Sequence, residues 1–266
     1  MRNVLIYIRG RKEGVCQEWL DMILGSCFYH VIVQGINKEN IFKNDEFIRE
    51  YKKIVIYKLK DSNVTILAYC IMNNHAHFLI YAEKIEYLGK YMQRINTSYS
   101  NFYNKKQNRI GYVFRDRYKS QSILSERQLY NCLVYIHKNP LKAGIVSKLE
   151  DYKYSSYNEF KTNRIIINEQ SINLLFGNNK DYKDLFYFLH NQDTEEKFID
   201  IKDKDITEII KEYEEKYNLS VEYFRRKREI MKEFIINARE KTDVTLVELA
   251  NILDISKSTV AVYDKK

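Results

Sequence analysis

The residues best suited to metal chemistry in this sequence are two histidines with one residue between them, His75 and His77. In Asn74-His75-Ala76-His77-Phe78-Leu79-Ile80-Tyr81, strand geometry sends successive side chains to opposite faces. His75, His77, Leu79 and Tyr81 then share one face, and Ala76, Phe78 and Ile80 share the other. The second set is uniformly apolar and is expected to face the core. The imidazoles therefore project together from the opposite side, one strand repeat of roughly 7 Å apart. Two neutral imidazoles at that spacing can converge on one ion, although ordinary strand histidines would give the same alternation. The sequence has only 5 histidines, which makes a same-face pair notable. With no Asp, Glu or Cys close by, the pair does not close a structural zinc site. It suits a divalent ion that keeps positions open for water and phosphate oxygens, and a third ligand must come from elsewhere.

A second chemical candidate lies in Gln128-Leu129-Tyr130-Asn131-Cys132-Leu133-Val134-Tyr135-Ile136-His137-Lys138-Asn139-Pro140. On a helical wheel Leu129, Cys132, Leu133 and Ile136 form an apolar face. Gln128, Asn131, Tyr135 and Asn139 form a polar one, with Tyr135 near its centre. Tyr135 and Asn139 are i,i+4 neighbours and point the same way. A phenol, ordinarily of pKa about 10, becomes a nucleophile only when a metal or base takes its proton. The chain holds 23 tyrosines, so a boundary-packing role for Tyr135 is the bland alternative. His137 falls on the far side of this helix and reads as structural.

The elements that must position these groups follow from periodicity. Phe28 to Val33 is a β-prone run closed by Gly35. Phe47, Tyr51, Ile54, Val55 and Leu59 recur at helical spacing from Asp45 to about Leu59. Strands Val64 to Ile71 and His75 to Tyr81 are joined by the turn-like Asn73-Asn74. Leu88, Tyr91, Met92, Ile95, Tyr99 and Phe102 mark a long amphipathic helix. A basic extended stretch runs through Ile123, and a helix capped by Ser125 is expected to stop at Asn139-Pro140. The order β-α-β-β-α-β-α describes an α+β domain with helices on a mostly antiparallel sheet. A short helix is expected near Cys16 to Leu24.

The sequence of 266 residues carries a net charge of +8, which favours polyanionic partners. Cys16, Cys27, Cys70 and Cys132 form no CxxC pair, so zinc knuckles and redox motifs are not supported and reduced thiols are expected. No apolar run approaches the roughly 18 residues of a membrane span. The opening MRNVLIYIRGRKEG is interrupted by charge too soon for a secretory signal, so a cytoplasmic location is expected.

Phe28-Tyr29-His30-Val31, Gly35-Ile36-Asn37, Asn74-His75-Ala76-His77, Phe114-Arg115-Asp116-Arg117-Tyr118-Lys119-Ser120 and Tyr135-Ile136-His137-Lys138-Asn139-Pro140 follow one another in order. As a set they resemble the single-tyrosine HUH transposases, most closely the REP-associated tyrosine transposase group. Lys142-Ala143-Gly144 and Tyr154-Ser155-Ser156-Tyr157 continue the likeness, which covers about residues 28–160. The resemblance implies a ferredoxin-like HUH fold with helices on one or both faces of an antiparallel sheet. It implies that His75, His77 and Asn139 hold Mg²⁺ or Mn²⁺ and that Tyr135 attacks a DNA phosphate, giving a 5′-phosphotyrosine link and a free 3′-hydroxyl. The substrate would be single-stranded or hairpin DNA rather than a small molecule, and the group allows a homodimer. Arg94, Arg115, Arg117 and Lys119 are candidate phosphate contacts. Tyr112 and Tyr118 are candidate base-stacking residues.

The chain then divides into an extension at 1–26, a catalytic domain at 27–165, an accessory and linker region at 166–220, and a small all-α unit at 221–266. In the last, Thr245 with Glu248 forms a capping box and Ser256 caps a second helix. The pattern resembles a helix-turn-helix, with Lys257, Ser258 and Thr259 facing DNA. Two other functions fit the same residues. One is a DNA-binding regulator on an HUH scaffold that does not cut; the other is a phosphodiesterase with water as its nucleophile.

Overall fold

The computed structural model describes residues 27–162, 164–177, 179–192, 198, 206–242 and 244–264. The helix expected near Cys16 to Leu24 lies outside them. The chain forms two compact units, Met1–Ile199 and Asp200–Lys266.

The first unit runs β1 (Phe28–Gln34), α1 (Asp45–Leu59), β2 (Val64–Ile71), β3 (His75–Ala82), α2 (Ile85–Lys106), β4 (Lys119–Ile123) and α3 (Glu126–Lys142). The strands lie in the order β2-β3-β1-β4 with every pair antiparallel, which is the ferredoxin-like arrangement. Local chemistry sets the helix starts. Asn44 Oδ1 accepts from the backbone N–H groups of Glu46 and Phe47, and Ser125 Oγ accepts from Gln128. The apolar stripe of α1, Phe47, Ile48, Tyr51 and Val55, is buried.

Helices cover both faces of the sheet. Tyr51 of α1 meets Phe78 of β3 at 6.3 Å between ring centroids and Tyr99 of α2 at 4.9 Å, so α1 and α2 lie on the Phe78 face. The other face carries His77 and Leu79, and α3 lies against it. Two shorter helices, α4 (Glu169–Phe176) and α5 (Tyr182–His190), continue the same core. Ser171 of α4 donates a 2.8 Å hydrogen bond to the carbonyl of Ile66 in β2.

This second covering changes two expectations. The wheel of α3 presents Tyr135 and Asn139 on a polar face, yet both are buried, because α3 is enclosed between sheet and neighbours. The helix also continues past Asn139-Pro140 to Lys142, with Pro140 inside it. Proline removes only one backbone donor here, and the last turn closes through Ala143 N donating to Asn139 O at 2.9 Å.

Buried His137 anchors α3. His190 Nδ1 lies 2.7 Å from the Phe186 carbonyl and so carries the proton. His190 Nε2 therefore accepts from His137 Nδ1 at 2.8 Å, and His137 Nε2 accepts from Ser156 Oγ at 2.8 Å. Ser156 Oγ also accepts from the backbone N–H of Tyr69 in β2. A continuous chain of hydrogen bonds thus ties α3 to α5 and to the sheet, as suits a structural histidine.

The second unit contains α6 (Ile206–Tyr217), α7 (Val221–Phe224), α8 (Arg228–Lys241), α9 (Leu246–Leu253) and α10 (Lys257–Asp264). Ile209, Tyr213, Phe224, Phe234, Leu249, Leu253 and Val260 form its core. The 166–220 region is therefore divided: α4 and α5 belong to the first unit, and the charged helix α6 packs in the second. Thr245 and Glu248 form the expected capping box. Ser256 Oγ accepts from Thr259 N at 3.1 Å. Asp254, in the left-handed conformation at φ 53°, turns the chain between α9 and α10.

Candidate catalytic site

Register explains why three histidines meet. Residues directly opposite in an antiparallel pair point the same way. Ile32 faces His77 and Gln34 faces His75 across β1 and β3, so His30, Ile32 and Gln34 share the histidine face. His30 Nε2 lies 3.1 Å from His77 Nδ1, and the two rings stack 10° from parallel. The His75 ring stands nearly perpendicular to that of His77, with centroids 4.9 Å apart. Asn74 Oδ1 accepts from His75 Nδ1 at 2.6 Å, which fixes the lone pair of His75 on Nε2.

The helix α3 brings Tyr135 to the same place. Its ring stands edge-on to His77 at 5.9 Å and to His30 at 5.6 Å. Only 4% of Tyr135 is exposed, and Phe198 lies against it with centroids 5.3 Å apart. Asn139, one turn on, is buried and donates Nδ2 to the Tyr135 carbonyl at 3.1 Å, so its Oδ1 is the atom able to act as a ligand. Lys142 Nζ sits 4.4 Å from the Tyr135 ring centroid.

Burial governs the electrostatics. It lowers His30 to about 3 and His75 to about 4. His77 is held well below the ordinary imidazole range by burial first, then by His75, His30 and Lys142. All three rings are neutral near pH 7, the form that binds a metal and cannot serve as an acid. Among the described residues no group of three His, Cys, Asp or Glu side chains is assembled to hold an ion. The donor set is two imidazoles with amides nearby, which fits a divalent ion that takes its remaining oxygens from substrate and water. Gln34 is the second amide: it is 8% exposed, faces His75, and neither of its amide atoms has a hydrogen-bond partner among the described residues.

The other sequence candidates separate by position. Lys119 is in register with Ile32, on the face that carries His77. Arg115 is half-buried at the His75 end of the sheet, where its backbone N–H donates to Gln34 O at 2.9 Å. Arg117 is exposed, and Tyr112 is 83% exposed. Tyr118 points the other way, towards Gly89 of α2, and is not on the histidine face. Arg94, also on α2, donates to the Asp61 carbonyl at 3.2 Å. Asp61 precedes the end of the sheet where Val64 pairs with Ala82, the end remote from His75. The fold therefore does not bring Arg94 or Tyr118 to the cluster. In the second unit Lys257 is exposed, while Ser258 and Thr259 hydroxyls lie 2.7 and 2.8 Å from Ser256 Oγ.

His30, Gln34 and Lys142 join the cluster without having been singled out as site residues. A signal existed for each. His30 and Gln34 alternate along one strand, and Lys142 extends the Tyr135 and Asn139 stripe at i+7.

Residues 24–139 match the family model described as "Transposase IS200 like". A putative REP-associated tyrosine transposase of Haemophilus influenzae is 26% identical over 143 residues, which are 50% of this chain and 80% of that protein. A solved REP-associated tyrosine transposase, bound to a REP hairpin, aligns at 15% identity with a TM-score of 0.43, covering 50% of this chain and 78% of that one.

Proposed function

Because residues 24–139 match the IS200-like transposase family, we propose that this chain cuts and rejoins single-stranded DNA with Tyr135 as nucleophile. The observation that carries this reading is the Tyr135 ring edge-on to His77 within one chain. The Tyr135 oxygen attacks phosphorus, the P–O3′ bond breaks, and the phenolic proton passes to solvent. A 5′-phosphotyrosine bond and a 3′-hydroxyl result, and the reverse reaction reseals the strand. His75 and His77 present neutral imidazoles and Asn139 offers Oδ1, the set that would hold Mg²⁺ or Mn²⁺. A divalent ion there would draw charge from the phosphate oxygens as the transfer proceeds. His30 orients the His77 ring from behind. Lys119 and Arg115 contact the DNA backbone and Tyr112 stacks on an unpaired base. The substrate is single-stranded DNA with a hairpin. The second unit grips duplex DNA through Lys257, Ser258 and Thr259 as a helix-turn-helix.

A second reading is favoured by one observation: Tyr135 is enclosed beneath Phe198. A scaffold that binds hairpin DNA and never cuts would show the same enclosure.

Labelled single-stranded hairpins, incubated with the protein and Mg²⁺ or Mn²⁺ and then denatured, separate these readings. A covalent adduct that vanishes in Tyr135→Phe and with EDTA supports strand transfer. Tight binding without adduct supports the regulator. Cleavage that survives Tyr135→Phe assigns the attack to water.

A further inference from the structure

Lys142 belongs to the Lys142-Ala143-Gly144 segment that follows the tyrosine helix, to which no role has so far been given. It ends α3, seven residues after Tyr135, so that Tyr135, Asn139 and Lys142 form one stripe. Its ammonium stands 4.4 Å from the centroid of the Tyr135 ring. Tyr135 and Asn139 are enclosed, whereas Lys142 is exposed. One cation thus stands between solvent and the Tyr135 ring. A DNA phosphate coming within reach of Tyr135 enters the field of this ammonium.

Resting on the Tyr135 reading above, we propose that Lys142 is a further catalytic residue, contacting a non-bridging oxygen of the scissile phosphate while Tyr135 attacks. As the Tyr135 oxygen bonds to phosphorus and the P–O3′ bond opens, negative charge builds on the phosphoryl oxygens and on the two oxygens in line. The phenolic proton leaves to water, and the departing 3′ oxygen takes a proton from water. Lys142 stays an ammonium throughout, so its contribution is charge placed in advance where charge develops. The ring beneath it serves the same end in the resting protein. A cation held over an aromatic face is attracted by the ring quadrupole, which keeps Nζ beside the nucleophile before DNA arrives.

The test compares Lys142→Met and Lys142→Arg in the full chain, using one labelled hairpin oligonucleotide with Mn²⁺. Single-turnover adduct formation gives the chemical step, and fluorescence anisotropy gives the affinity. Lys142→Met is expected to slow adduct formation by about 100-fold, as loss of one preorganised charge partner does, with a much smaller change in affinity. Lys142→Arg is expected to restore most of the rate. Adduct formation at the unaltered rate in Lys142→Met overturns the assignment and leaves Tyr135 untouched. A loss that Lys142→Arg fails to reverse assigns Lys142 to packing on the ring and also overturns it. If the unmodified chain forms no adduct, the Tyr135 reading fails and this one fails with it.

Discussion

His30 and His77, 47 residues apart in sequence, share a single 3.1 Å hydrogen bond between Nε2 of the first and Nδ1 of the second. Only one proton can occupy that contact. If it resides on His77 Nδ1, the His77 Nε2 lone pair points away from His30, as a metal ligand requires. His30 is then the orienting partner of a ligand. Replacing it by Phe is expected to weaken Mn²⁺ binding by about 10- to 100-fold, read by isothermal titration without any DNA. His30→Gln keeps an acceptor and should lose less. Identical affinity in all three proteins would remove His30 from this role.

Tyr135 and the imidazoles belong to one chain, and α3 is anchored by the His137, His190 and Ser156 hydrogen bonds. Mixing His77→Ala with Tyr135→Phe is therefore expected to give no adduct, and adduct yield should scale linearly with protein concentration. Recovery of adduct in the mixture would mean that α3 is exchanged between copies.

Stability should depend on pH through buried imidazoles. His190 is lowered to about 4 by burial, and His137 lies well below the ordinary value of 6.5 for the same first reason. Because the folded values are depressed, the unfolded chain binds protons first as pH falls. Stability is full above about pH 6.5 and drops towards pH 4, by at most about 1.4 kcal/mol per pH unit for each imidazole. Urea midpoints at pH 7, 6 and 5 measure the slope. A flat profile across that window would contradict the buried neutral pair.

Lys257 begins α10, exposed beside the Ser256 cap. If it meets a duplex phosphate, Lys257→Ala should weaken duplex binding for every sequence tested. The plot of log affinity against log salt should also become shallower by about 1. An unchanged slope would exclude that contact.

Local periodicity carried most of the first unit. The helix at Asp45 to Leu59 and the strand opening at His75 were legible because apolar residues at helical spacing mark the first and an alternating run marks the second. Non-local facts were not legible. The approach of His30 to His77 depends on the pairing register of β1 with β3, which neither strand specifies alone. Tyr135 and Asn139 read as polar, and nothing within α3 announces that its polar face will be enclosed. Arg94 and Tyr118 carry suitable chemistry, but side-chain type does not say which side of the sheet a residue occupies. In α6, abundant charge obscured a stripe of Ile206, Ile209, Ile210, Tyr213 and Tyr217 that packs a core.

The corner at Gly35 has a consequence for evolution of the chain. Gly35 N donates to Asn74 O at 2.8 Å, and Asn74 holds His75 through its side chain. A Cβ at position 35 would approach the Glu39 carbonyl oxygen and the Ile41 side chain closer than 3.0 Å, so even alanine must push the backbone aside. The displaced peptide would drag Asn74 and tilt an imidazole it never touches. A hydrogen atom in place of a methyl group therefore guards the aim of His75, and drift at this inert position reaches a ring that it never contacts.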